Sequence, residues 1–152
     1  TISTSGIIPK IKKYISEGQK YKLAISLNAS NNNVRDELIP INKKWPIENI
    51  LEVIKKYRFN KYRPIMFEYV LIKDINDSKE NAKELAGLLR NFSCKINIIP
   101  YNTTTESYKR SERVDSFVDE LNSFEGLFKV FVRKNKGQDI NAACGQLVTL
   151  NE

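Results

Sequence analysis

Along this chain, short and nearly continuous apolar runs alternate with longer blocks in which apolar residues recur every three or four positions. The first pattern predicts strands, the second helices. KLAISLNA (residues 22–29) predicts a strand, and in the PIENILEVIKKYRF block that follows, Ile47, Ile50, Leu51, Ile54 and Tyr57 share one helical face. Pro46 stands there where a first helical turn tolerates proline. PIMFEYVLIKDIN (64–76) predicts a long buried strand. DSKENAKELAGLLRNF predicts an amphipathic helix capped by Asp77 or Ser78, with Ala82, Leu85, Ala86, Leu88 and Leu89 inward. CKINIIPYN predicts a further strand. RSERVDSFVDELNSF predicts a helix that turns Val114, Phe117, Val118 and Leu121 inward and ends before Gly126. LFKVFVR is the last clear strand, and IIPKIKKYISEG forms a short helix behind TISTSG at the start.

Strand, helix and strand at this spacing imply parallel βαβ units in one α/β domain spanning residues 1–152, with the sheet covered on one or both faces. Ligands of such sheets sit at the carboxyl ends of the strands. Those ends are SLNASNNN, KDINDS, PYNTTT and RKNKGQD, each rich in Asn, Ser, Thr or Asp. Singly, such residues are ordinary caps and turns. Four together, with Cys144 after the last, make a shared site. The polar loop over residues 102–113 has a length that compact domains often reserve for function.

Composition narrows the chemistry. No apolar run approaches the roughly 20 residues that span a bilayer. The start lacks a signal-peptide pattern and an initiator Met, so Thr1 is expected to be a cut inside a longer cytoplasmic protein or a trimmed end. A net charge of +7 favours a polyanion such as RNA, although a lysine-rich surface chosen for solubility gives the same number. Two cysteines make no disulfide framework. Zero histidine excludes Ser-His-Asp and Cys-His nucleophile chemistry and His-based metal sites from this chain alone. Cys94 opens a strand and suits the core, whereas Cys144 lies in a run of small residues, Ala142-Ala143-Cys144-Gly145, that permits close approach. Read alone, Cys144 could equally be a small buried hydrophobe.

The strings TISTSGIIP, LAISLNA, RDELIPINKKWPI, FEYVLIKDINDS, INIIPYN and DINAACGQL occur in order along the whole chain. Together they resemble the carboxyl-terminal part of the RlmN/Cfr family of radical S-adenosylmethionine (SAM) methyltransferases, which methylate adenosine in 23S rRNA and, for RlmN, in tRNA. The resemblance implies part of a partial (β/α)6 radical-SAM barrel, with SAM and a 4Fe–4S cluster at the carboxyl ends of its strands. It makes Cys144 the methyl carrier. One SAM methylates this cysteine, and a second is cleaved to a radical that activates the S-methyl group for attack on the adenine ring. Sulfur suits the task because C2 of adenine is not nucleophilic and the carrier must later let go.

The resemblance further implies SAM contacts at Ser3, Ser26, Leu27, Asn28 and Asn102. The loop after Ser3 is one residue longer than the family pattern, and Asn28 replaces a frequent His, so it cannot titrate near neutrality. Lys109, Arg110, Arg113, Arg133, Lys134 and Lys136 suit phosphate contacts beside an extruded base, or are simply solvated charge. Tyr101 and Tyr108 offer stacking surfaces.

The family's CxxxCxxC cluster ligands and its GEP-like segment are absent from these 152 residues, which hold no metal site of their own. The expected partners are the missing amino-terminal part of the same protein, a reductant such as flavodoxin, and RNA. The isolated chain is expected to be inactive, and its open sheet edge to favour self-association. Adenine-C2 specificity is favoured. The alternatives are a Cfr-like C8 enzyme giving antibiotic resistance, a noncatalytic RNA-binding remnant, and a structural α/β domain.

Overall fold

A computed structural model describes residues 1–56, 64–102 and 107–133. Five strands form one parallel sheet in the order of the chain: β1 (Ile2–Thr4), β2 (Leu23–Ser26), β3 (Ile65–Leu71), β4 (Cys94–Pro100) and β5 (Lys129–Val132). The connections carry α1 (Ile8–Ser16), α2 (Asn32–Leu38), a 3-10 turn (Pro40–Lys43), α3 (Ile47–Lys55), α4 (Lys79–Leu89) and α5 (Val114–Asn122). Sequential strand order is the winding of a (β/α) barrel, here an arc of one, as the sequence predicts.

Among the described residues, only one face of the sheet is covered by helices. Buried and half-buried residues alternate strictly along β3 and β4. Ile65, Phe67, Tyr69 and Leu71 enter the core with Ile96 and Ile98. There they meet Ile50 and Ile54 of α3, Leu85 and Leu89 of α4, and Phe117 and Leu121 of α5. The Tyr69 and Phe117 rings stand 5.3 Å apart. Cys94 is buried at the start of β4, where sequence placed it.

Local signals act as expected at α4. Ser78, not Asp77, is the cap, and it forms a reciprocal capping box with Asn81. The predicted strand over residues 64–76 ends sooner, at Leu71. Beyond Ile72 the chain turns, with Asp74 at φ 58°. The helix predicted from residue 110 begins at Val114. α2 and the 3-10 turn were not expected from the pattern, because their segment is polar and lacks periodicity. Tyr57 lies outside the described residues.

Candidate functional site at the carboxyl edge of the sheet

The helix-free face carries two registered rows of side chains. Ser3, Ala24, Met66, Lys95 and Lys129 pair across the five strands. One layer nearer the carboxyl edge run Ser26, Glu68, Asn97 and Phe131. Lys95 Nζ lies 5.0 Å from the Phe131 ring centre, which links the two rows. Ser26 Oγ stands 3.4 Å from Glu68 Oε2. This band of hydroxyl, carboxylate and amide is half-buried, so its groups can exchange water for a polar ligand. Glu68 and Asn97 are additions to the expected set. Their signal was a polar residue at an alternate position of a mostly apolar run, Glu68 in IMFEYVL and Asn97, two after Lys95, in CKINIIP.

Beyond β2 the backbone is held tightly. Leu27 N–H and Asn28 N–H both donate to Glu68 O, at 2.9 and 3.2 Å. Asn28 adopts φ 56°, a left-handed conformation that Asn tolerates better than most residues. Its Oδ1 accepts from Val70 N–H at 3.0 Å. This amide therefore joins β2 to β3, which is one physical reason for Asn where the family pattern often has His. The Leu27 side chain is wholly buried, so this residue meets a ligand only through its backbone.

Asn76 forms a second brace. Its Nδ2 donates to Asn28 O and Val70 O, both at 2.8 Å, and its Oδ1 accepts from Ile72 N–H at 2.7 Å. Tyr69 Oη donates to Asn76 O at 2.7 Å, and burial raises the tyrosine pKa. Next to it, buried Asp77 accepts from Ser111 Oγ at 2.6 Å, Asp74 N–H at 2.9 Å and Arg113 Nη1 at 3.1 Å. Glu84 accepts from Ser30 Oγ and Asn31 Nδ2, and these bonds lower its pKa.

The predicted residues divide as follows. Ser3, Ser26, Asn28 and Asn102 lie on the open face or at the carboxyl edge, with Asn102 two residues beyond the end of β4. Tyr101 and Tyr108 pack edge to face, 5.9 Å apart. Lys109 and Arg110 are exposed, and Arg110 bridges to Ile72 beside the edge. Arg113 is half exposed but engaged by Asp74 at 3.2 Å and Asp77 at 3.1 Å, so its charge is partly spent within the fold. Arg133 is exposed, with its backbone N–H on Ile98 O at 2.8 Å. Cys144, Lys134 and Lys136 lie outside the described residues. A groove of about 530 Å³ between α1 and α3, lined in part by Ile8, Trp45 and Val53, lies on the helix side, away from this edge.

Among the described residues, no three His, Cys, Asp or Glu side chains are grouped to hold a metal ion. No helix among them is long and apolar enough to cross a membrane.

No family model matches the sequence. Individual proteins do. The chain is 43% identical over 153 residues to the probable dual-specificity RNA methyltransferase RlmN of Spiroplasma citri, covering 100% of this chain and 44% of that protein. It is 43% identical to the same-named protein of Clostridium acetobutylicum, covering 97% of this chain and 43% of that protein. The crystal structure of a radical SAM methyltransferase from Sphaerobacter thermophilus superposes with a TM-score of 0.85 at 41% identity, over 95% of this chain and 42% of that one. A domain of pyruvate-formate lyase-activating enzyme from Bacteroides vulgatus shares the fold, with a TM-score of 0.61 at 20% identity. The chain thus spans less than half the length of the curated relatives it matches. The motif resemblance and these matches agree over the same residues: over nearly its whole length the chain is similar to part of the RlmN dual-specificity RNA methyltransferases and of a radical SAM methyltransferase.

Proposed function

We propose that this chain is part of a dual-specificity methyltransferase that methylates C2 of adenosine in 23S rRNA and in tRNA, with Cys144 as the methyl carrier. The observation that supports this reading is identity above 40%, over nearly all of this chain, with proteins named probable dual-specificity RNA methyltransferase RlmN. The strand ends are equipped for SAM. Ser3 and Ser26 offer hydroxyls, Asn28 and Asn102 amides, and Glu68 a carboxylate that can accept from a ribose diol or an ammonium. When bound, SAM supplies the methyl group. The 4Fe–4S cluster that the family's radical chemistry uses does not fit these residues. Two cysteines 50 positions apart and no histidine cannot hold it, so its ligands and its reductant, such as flavodoxin, are supplied from outside this chain.

The chain's own residues then have distinct tasks. Asn28 and Asn102 orient the cofactor without titrating, so proton transfer falls to other groups. Cys144 sulfur would carry the methyl carbon to the base, and the C–S bond would then be broken by a second cysteine supplied from outside this chain, leaving Cys144 in a disulfide with it. The small neighbours of Cys144 leave room for both reactants. Lys109, Arg110 and Arg133 lie where a phosphate backbone can reach them.

The test is mass spectrometry of nucleosides from rRNA and tRNA treated with the intact gene product, SAM and reductant. 2-Methyladenosine that disappears in Cys144→Ala supports the reading. 8-Methyladenosine would shift it to the C8 reaction. RNA binding without any methylated product would leave only a binding role.

A further inference from the structure

Arg35 is the largest fully buried side chain of the described residues, and the apolar pattern gave no hint of it. Its guanidinium reaches three separate segments. Nε donates to Leu27 O at 3.0 Å, and Nη2 to Ser5 O at 2.7 Å and Ser26 O at 3.2 Å. Nη1 donates to Asn42 Oδ1 at 2.7 Å. Asn42 is itself buried and donates to Asp36 Oδ1 at 2.7 Å and Asn32 Oδ1 at 3.1 Å. The Asp36 carboxylate is therefore linked to the guanidinium through an amide, and backbone carbonyls accept three of its four hydrogen bonds. These carbonyls close the carboxyl ends of β1 and β2. Gly6 keeps the contact open. At φ 102°, a β-carbon there would stand 3.2 Å from Arg35 Nη2 and 2.5 Å from Ile50 Cδ1.

A planar fork with five donors can satisfy four acceptors in three directions, whereas an ammonium cannot do so from the same stem. Three of the four acceptors belong to the segments that hold Ser3, Ser26, Leu27 and Asn28. Burying a charge for fold stability alone is poor design, since apolar side chains fill such space as well or better. Its use here is to fix two strand ends relative to each other.

We propose that Arg35 is the positioning residue of the SAM edge, setting the spacing of the β1 and β2 ends, with Asn42 orienting the guanidinium. This inference rests on the SAM reading given above. The experiment uses the intact gene product with its cluster reconstituted, as wild type, Arg35→Lys and Asn42→Ala. It measures SAM Kd by equilibrium dialysis, turnover, and the melting temperature without SAM. Loss of the hydrogen-bonding partners that orient metal ligands weakens metal affinity by about 10- to 100-fold, and by analogy Arg35→Lys is expected to weaken SAM binding in that range. Asn42→Ala keeps the carbonyl bonds and is expected to weaken SAM binding less than Arg35→Lys does. In each folded variant, Kd rises and turnover at saturating SAM falls less. Folded Arg35→Lys with wild-type Kd would overturn the proposal. Should Arg35→Lys fail to fold, folded Asn42→Ala decides: raised Kd supports the proposal and unchanged Kd overturns it. A wild-type protein that binds no SAM would instead defeat the underlying function.

Discussion

The brace at Asn76 makes a demanding prediction for Asn76→Asp. The side chain is wholly buried, and its Nδ2 faces two carbonyl oxygens at 2.8 Å while Oδ1 accepts from Ile72 N–H. The substitution changes no volume. It replaces a donor of two hydrogen bonds by an oxygen pressed against two oxygens. Among the described residues the nearby guanidinium of Arg113 is already engaged by Asp74 and Asp77, so an ionised carboxylate gains no free cation from it. The introduced carboxyl group must therefore fold protonated, with a pKa raised well above its unfolded value of about 3.9. Protonated, it donates to one carbonyl and leaves the other unpaired, at a cost of about 1–3 kcal/mol. Holding the proton at pH 7 adds about 1.4 kcal/mol for each of roughly three pH units, near 4 kcal/mol. The total of about 5–7 kcal/mol rivals the whole stability of a domain. The sign follows from a raised folded pKa: the variant is least penalised below pH 4 and loses stability as pH rises towards that pKa. Urea unfolding followed by circular dichroism at pH 5 and pH 7 measures it. The deficit relative to wild type should grow by about 2.7 kcal/mol between these pH values, while that of Asn76→Ala stays constant. A pH-independent deficit in Asn76→Asp would refute the reasoning, since the carboxylate would then have found solvent or a cation.

Other outcomes follow from particular residues. Burial pushes the Cys94 thiol up to about 12, so iodoacetamide at pH 8 should spare it in the native protein and label it in urea. Its contribution to stability is present below about pH 9 and is lost as pH rises towards 12; rapid native labelling would place the thiol outside the core. Lys109→Ala with Arg110→Ala should lower the salt slope of RNA binding by about two, one for each lost phosphate contact. Arg113→Met should instead lower the melting temperature and leave that slope nearly unchanged, because its partners are Asp74 and Asp77; the opposite pattern would exchange the two roles. The 152-residue chain alone, given SAM, reductant and rRNA, should show no turnover, because it lacks cluster ligands. Turnover by the purified fragment would mean the chemistry needs no cluster.

The strands and the amphipathic helices were legible because apolar side chains with a clear period have only one face to bury. Reading failed where polar residues do the folding. NNNVRDELIPINKKW shows no apolar period, yet it forms α2 and a 3-10 turn around buried Arg35 and Asn42. A buried guanidinium needs acceptors from Ser5, Ser26 and Leu27, which only the folded chain brings together. The predicted strand over residues 64–76 overran for a related reason. Asn76 Oδ1 takes the Ile72 N–H that a continuing ladder would have used. Of the candidate site, Ser26 and Asn28 were legible from motif and strand end, while Glu68 and Asn97 needed the register to appear beside Ser26. Cys144 is singled out by its motif alone and lies outside the described residues.

The two braces together explain why the Asn28 position can do without histidine. Parallel strands end in carbonyls that have lost their ladder partners, and a ligand edge cannot cover them with apolar side chains. This chain satisfies them from within. Arg35 takes the β1 and β2 ends, and Asn76 takes Asn28 O and Val70 O. Asn28 sits between the braces, left-handed, with its own Oδ1 on Val70 N–H. An imidazole ring nitrogen in the acceptor tautomer could take that N–H bond, but protonation would convert it to a donor and break the join. An amide makes the same bond at every pH. The residue at this position is therefore selected by what the strand ends need, and the edge is held in shape before any ligand arrives.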